Sequence, residues 1–187
     1  MDVIASEILD FWFIKIKSIQ WFKKDNKFDQ LIYNKYKTLH FLAIDGLLDN
    51  WKYDYKECLA LILIIDQFSR NMFRNNHKSY DYDHISLKFL RFGLKKSYLN
   101  KYKSLNEKFF FILPLIHSEK LKDQKLAISL FNKHLSNHPK KKEINKFFKR
   151  HEEIVKIFGR FPHRNKILKR KSSKDELKFL KTPFSSF

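Results

Sequence analysis

The sequence predicts an all-α protein of seven to nine helices, in a single domain over residues 1–187. Apolar residues recur at intervals of three and four along the chain, and no segment keeps the alternation of a strand. Glycine occurs only three times and proline four times, so few positions interrupt a helix. Hydrophobic residues make up 43% of the chain, which excludes a disordered protein despite 32% charged residues.

Three helices are predicted in the first half. The first ends at Asp45-Gly46 and carries one apolar face, formed by Phe28, Leu31, Ile32, Leu39 and Leu42. The second covers about residues 54–73. Its apolar run at 58–65 would fit a strand by itself, but some 20 residues without a breaker favour a buried helix. The third covers about residues 85–93.

In the second half of the chain, apolar periodicity predicts four more helices, at about 105–117, 119–136, 143–158 and 174–181, with a loop at 139–142. Gly159 fits the position just after the 143–158 helix. Pro162 fits the first position of a short helix that follows. Ser172 and Ser173 precede two acidic residues by three positions each, which is a capping-box pattern for the last helix.

Composition limits the partners we expect. The net charge of +19 attracts polyanions. However, the 32 lysines are spread over nearly every helix face, so nucleic acid is a weakly supported partner. No apolar run exceeds eight residues, and we expect no membrane association. The single cysteine, Cys58, and the acidic N-terminal segment favour a cytoplasmic protein without an export signal.

The arginines form two pairs at the same spacing, Arg70 with Arg74 and Arg160 with Arg164. Helix phase places Asp66 and Arg70 on the apolar face of the second helix, where a charge needs a partner. Asp66 would pair with Arg70, which leaves Arg74 with spare positive charge. Either the pair locks two helices together, or the arginines form an anion-binding site.

Three histidines are further candidates. His117 and His151 lie on apolar helix faces, and His163 lies beside Arg160, Arg164 and Asn165 in the segment after Gly159. They are either core residues or general acid–base groups. The segment after Gly159 is either an anion cradle at a helix start or a rigid corner.

Metal and cofactor chemistry is weakly indicated. His134 and His138 are four residues apart, but no carboxylate accompanies them at ligand spacing. We therefore expect no metal and no cofactor.

Several of these motifs occur in one order along the chain. They are Ile8–Phe13, Trp21-Phe22, Asp66–Arg74, Pro114 with His117-Ser118-Glu119, Asp123-Gln124, His151, Phe158–Asn165 and the terminal Ser185–Phe187. In this order they resemble the bacterial family known as domain of unknown function 924. The resemblance implies a tetratricopeptide-like, right-handed array of antiparallel helices, and no established activity. Ser69 and Asn75 depart from the family's usual proline and glycine, which affects the expected turn after Arg74.

Three functions remain open at this stage. The first is a binding module that holds a phosphate-bearing metabolite, an RNA backbone or an acidic peptide. Its ligand-binding residues would be Asp66, Arg70, Asn71, Arg74, Arg160, Arg164 and Asn165. The second is an enzyme that uses His117, His151 or His163 as general acid–base, with Glu119 as a further catalytic candidate. The third is a scaffold in which these residues only join helices.

Overall fold

A computed structural model describes residues 1–186 of the protein, so Phe187 and its part of the terminal resemblance lie outside the described residues. Those residues form helices and loops without a strand, which confirms the all-α prediction. Eight α-helices have six or more residues. They are α1 (Val3–Asp10), α2 (Asn26–Ile44), α3 (Tyr55–Ile62), α4 (Asp83–Lys95), α5 (Leu105–His117), α6 (Leu121–His134), α7 (Lys141–Phe158) and α8 (Lys174–Phe179).

The chain divides into two compact units, residues 1–114 and 115–187. Each unit is described by itself below. The single domain over residues 1–187 and the tetratricopeptide-like arrangement therefore stay predictions. Within residues 1–186, no helix combines the length and the apolar character needed to cross a membrane.

The core of the first unit is built on a continuous helical segment at residues 55–72. Helix α3 passes into a π-helical turn at Leu63–Phe68 and then into a short α-helical turn at Ser69–Met72. All residues from 58 to 69 are buried, which explains why the sequence shows an uninterrupted apolar run there. The π-helical turn widens the helix, so it redirects the polar side chains at its end.

A hydrogen-bond chain joins α2 to this core segment. The Ser69 hydroxyl donates to the Ile65 carbonyl at 2.6 Å, so it accepts from His40 Nε2–H at 2.7 Å. Burial lowers the pKa of His40 to about 4, and the ring is therefore neutral at pH 7. His40 is a structural histidine between two helices, and no local motif singles it out.

The second unit is centred on α7, which packs against α6. Ile154, Val155 and Phe161 form a buried cluster, and Phe158 packs against it. Gly159 ends α7 in the left-handed conformation, with φ of 69°, and its N–H donates to the Val155 carbonyl at 2.8 Å. This confirms the predicted cap, because only glycine takes that conformation without strain.

The helix boundaries differ from the predicted ones in small ways. Helix α7 begins at Lys141, so part of the predicted loop at 139–142 is helical. Pro162 begins a 3₁₀ turn that ends at Arg164. Helix α1 was not predicted; it starts where the Asp2 carboxylate accepts a hydrogen bond from the Ile4 N–H at 2.7 Å. The capping box of α8 forms as predicted, between Ser173 and Glu176.

Candidate functional site

Arg70 is held between two carboxylates in the first unit. Its Nη1 donates to the Asp66 carbonyl at 2.8 Å and lies 3.3 Å from Asp66 Oδ1. Its Nη2 donates to Asp83 Oδ1 at 2.9 Å. Burial alone would lower the pKa of Arg70, but the charges of Asp66 and Asp83 raise it. Asp66 is therefore the helical partner that the sequence predicts, and Asp83 is a second partner that it does not.

Arg74 also pairs within the first unit, with Asp29 of α2. Its Nη2 donates to Asp29 Oδ1 at 2.7 Å, and Asn71 Nδ2 donates to the same oxygen at 2.8 Å. The hydrogen bond that Arg74 donates to Asp29 raises the pKa of Arg74. The expectation that Arg74 keeps spare charge is therefore wrong, because a carboxylate 45 residues away reaches it. One sequence signal points to Asp29: it lies on the face of α2 that also carries Ile32 and Tyr36.

Arg160 makes a two-point contact with Glu176 in the second unit. Its Nε donates to Glu176 Oε1 at 2.6 Å, and its Nη2 donates to Oε2 at 2.8 Å. The Ser173 N–H donates to the same Oε2 at 2.7 Å as part of the α8 cap. The hydrogen bond from Arg160 has the largest effect, and together with that from the Ser173 N–H it lowers the pKa of Glu176 to about 2. Glu176 thus links the cap of α8 to Arg160 in the segment after Gly159.

Glu119 forms an ion pair with Arg170, which was not among the predicted site residues. Arg170 donates to Oε2 at 2.6 Å and to Oε1 at 2.9 Å, and the Phe161 N–H donates to Oε1 at 2.8 Å. Arg170 Nε donates to Asn165 Oδ1 at 3.0 Å. Although burial opposes the shift, Arg170, the Phe161 N–H and the charge of Arg164 lower the pKa of Glu119. The carboxylate is therefore ionised and engaged.

His151 lies buried in the second unit, 3% exposed. Its Nδ1 lies 2.9 Å from the Phe147 carbonyl oxygen. A carbonyl only accepts, so Nδ1 carries the proton and Nε2 carries the lone pair. Burial lowers the pKa of His151 to about 3, against the effect of the Phe147 carbonyl. The structure therefore holds a neutral imidazole in one tautomer.

The Phe161 ring contacts both His151 and His163, with centroid distances of 5.4 Å and 5.7 Å. The charges of His117, Arg164 and His163 each lower the pKa of His151 further. Arg164 is 7% exposed, and its guanidinium carbon lies 4.7 Å from the centroid of the Phe161 ring. The second unit thus brings together all three predicted catalytic histidines with one predicted ligand-binding arginine, and we call these four residues the histidine–arginine cluster.

The predicted ligand-binding residues fall into separate groups. The first unit contains Asp66, Arg70, Asn71 and Arg74, and the second contains Arg160, Arg164 and Asn165. Asn165 Nδ2 donates to Ser172 Oγ at 3.0 Å, so the residue also ties the segment after Gly159 to the start of α8. Among residues 1–186, no three His, Cys, Asp or Glu side chains are grouped as metal ligands.

The Arg70 pairs give a stability prediction. Arg70→Met keeps the apolar stem but leaves Asp66, with 1% of its side chain exposed, without its helical cation. We expect the free energy of unfolding to fall by about 3–5 kcal/mol at pH 7, as measured by denaturant titration.

Arg150→Met is the control for Arg70→Met. Arg150 meets Glu153 at the surface, with side chains 29% and 54% exposed, and its removal should cost under about 1 kcal/mol. Adding Asp66→Asn to Arg70→Met should restore part of the lost stability. An Arg70→Met protein as stable as wild type would contradict the assignment.

The ion pair between Glu176 and Arg160 gives a prediction about how stability depends on pH. The Glu176 pKa of about 2 lies below the unfolded value of 4.5, so its stabilisation is present above pH 4.5 and is lost as pH falls towards 2. At pH 7 we expect Glu176→Gln to lower the free energy of unfolding by about 2–3 kcal/mol. Variant and wild type should converge in acid. Asp175→Asn, one residue earlier and 82% exposed, is the matched control and should change little. Equal effects of the two substitutions at pH 7 would refute a stabilising role of the Glu176–Arg160 ion pair.

Comparisons with known proteins agree with the resemblance seen in the motifs. A solved structure of a protein of unknown function from Agrobacterium tumefaciens is similar, with a TM-score of 0.87 and 32% sequence identity over 95% of this chain and 97% of that one. No curated protein matches. The sequence model of the family described as bacterial protein of unknown function (DUF924) matches residues 8–184. The chain therefore belongs to the DUF924 family.

Proposed function

We propose that this protein is a binding module and that the histidine–arginine cluster of the second unit holds a small anionic group, such as a phosphate or a carboxylate. The observation that carries the proposal is that cationic and protonatable groups gather around the Phe161 ring. Its centroid lies 5.4 Å from that of His151, 5.7 Å from that of His163 and 4.7 Å from the Arg164 guanidinium carbon. His117, His163 and Arg164 each make it harder to protonate His151. An anion among these four groups would offset that effect and accept hydrogen bonds from Arg164 and the imidazoles.

The charge around the cluster supports an anion more than a cation. Glu119 is the carboxylate whose pKa responds to Arg164, and Arg170 already engages both of its oxygens. Glu119 is thus engaged by Arg170 and also feels the charge of Arg164. Arg164 is also buried enough for a hydrogen bond to an anion to be stronger than it would be in water.

The other motif arginines take a different role in this proposal. Arg70, Arg74 and Arg160 each meet a carboxylate of their own unit. We assign them, with Asp66, Asn71 and Asn165, to joining helices and positioning the segment after Gly159. The scaffold interpretation thus describes most of the arginines, and the binding interpretation describes Arg164. In the same proposal the protein is cytoplasmic, since its one cysteine is a buried thiol.

An enzyme is the second candidate, and the state of His151 favours it. A neutral imidazole whose Nδ1–H donates to a backbone carbonyl presents Nε2 as a base. Arg164 would then stabilise negative charge that develops on the substrate. The two functions differ in the fate of the ligand, because a binding module releases it unchanged and an enzyme converts it.

Calorimetric titration with phosphate and with sulfate tests the binding site. We expect both anions to bind the wild-type protein and to raise its melting temperature by roughly 5–10 °C at 100 times the Kd. Arg164→Gln should weaken binding by about 10- to 100-fold, because a charge-assisted hydrogen bond is lost.

Lys149→Gln removes the same charge from an exposed position of α7 and should leave the affinity unchanged. If Arg164→Gln does not fold, His163→Gln at a half-buried position provides the second variant. Absence of binding to wild type, or equal affinity in Arg164→Gln and wild type, would contradict the proposal.

A further inference from the structure

A second surface, at residues 11–24 of the first unit, combines apolar and basic side chains. These 14 residues include eight apolar or aromatic side chains and four lysines, with no acidic residue. The segment leaves α1 through a π-helical turn at Phe11–Lys15 and continues into a 3₁₀ turn at Ser18–Gln20. It is therefore an irregular segment, and we call it the basic apolar segment.

Aromatic contacts fix the inner side of the basic apolar segment. The Trp21 indole N–H donates to the Trp12 carbonyl at 2.9 Å. The ring of Trp21 lies 4.9 Å from that of Phe110, and Phe22 stacks against the same ring at 6.0 Å, both measured between centroids. These contacts hold the segment on helix α5, so its outer side chains are presented by a fixed backbone.

Three large apolar side chains on this segment remain in water. Ile14 is 77% exposed, Ile19 is 72% exposed and Phe22 is 61% exposed. Single exposed apolar residues are ordinary, but three within nine positions of one anchored segment form a group. Burying them in an apolar medium would be favourable, in proportion to the area removed from water.

Lysines alternate with these apolar side chains along the segment. Lys15, Lys17 and Lys24 are exposed, and none of the three makes an ion pair with another residue in the described part of the chain. Lys23 lies 3.7 Å from Asp25, so its charge is partly met. A partner for this surface would therefore offer both apolar and negative groups.

We propose that the basic apolar segment docks on the surface of an anionic lipid bilayer. Ile14, Ile19 and Phe22 enter the boundary between headgroups and acyl chains, and Lys15, Lys17 and Lys24 meet lipid phosphates. A bilayer fits better than a folded protein partner. The three apolar side chains project from irregular backbone, and a fluid surface adapts to them without a complementary shape. The expectation of no membrane association rested on the absence of an apolar run long enough to span a bilayer, and a peripheral contact needs no such run. The peripheral contact is also independent of the anion site in the second unit.

Vesicle sedimentation tests this surface. The probes are vesicles of phosphatidylcholine alone and vesicles with 30% phosphatidylglycerol, chosen as roughly physiological anionic content. We expect wild type to bind the second kind, with a blue shift of tryptophan fluorescence because Trp21 adjoins the inserted side chains. Replacing both isoleucines (Ile14→Ser with Ile19→Ser) should weaken binding by about tenfold or more. Phe22 is left in place because it packs on Phe110.

A charge-matched pair of variants separates this surface from general attraction to a basic protein. The triple variant Lys15→Gln, Lys17→Gln and Lys24→Gln should weaken binding by about 100-fold. The triple variant Lys140→Gln, Lys141→Gln and Lys142→Gln removes the same charge from exposed positions before and within the first turn of α7, and should have a small effect. Circular dichroism checks that each variant is folded.

Three results would overturn the proposal. The first is no binding of wild type to the anionic vesicles, and the second is equal weakening by the two lysine triple variants. The third is a wild-type dimer in sedimentation velocity that the isoleucine substitutions dissociate while vesicle binding is unchanged. That result would assign the surface to a second copy of this chain.

Discussion

A charged side chain can be buried in a helical protein only where an opposite charge and hydrogen bonds meet it, because its desolvation otherwise costs several kcal/mol. In the first unit, Asp29 and Asp66 meet this constraint through Arg74 and Arg70. In the second unit, Glu176 meets it through Arg160. Each pair links segments that are distant in sequence or fixes a turn of a helix, so the positions of the helices depend on the pairs.

The histidine–arginine cluster gathers protonatable and cationic groups. His151 remains neutral because it is buried and because His117, His163 and Arg164 disfavour its protonation. Proteins retain buried groups of this kind where a ligand or a reaction uses them. In our proposal Arg164 therefore contributes to a binding site, whereas Arg70, Arg74 and Arg160 join helices.

Local signals in the sequence predict most of the fold. Apolar periodicity predicts the long helices, and Gly159, Ser173 and Glu176 predict two helix ends because caps need particular residue types. Helix phase predicts the Asp66–Arg70 pair, since both residues share one face. The π-helical turn at Leu63–Phe68 was not predicted, because a segment that is buried all round lacks the apolar periodicity that would distinguish it from an α-helix.

Several residues that form ion pairs with each other lie far apart along the chain. Asp29 meets Arg74 across 45 positions and Glu119 meets Arg170 across 51, and no local pattern encodes such contacts. The sequence therefore gives the right types of residue without showing which arginine is already paired. The three-dimensional packing supplies that information. It shows that Arg74 is paired with Asp29 and is not a spare cation.

NMR titration of His151 with and without phosphate shows whether the cluster holds an anion. We expect a pKa of about 3 in the anion-free protein and a clear rise when phosphate is added, because a bound anion favours the imidazolium. The rise should disappear in Arg164→Gln. A His151 that titrates near 6.5 without an anion, or one whose pKa does not respond to phosphate, would contradict the proposal.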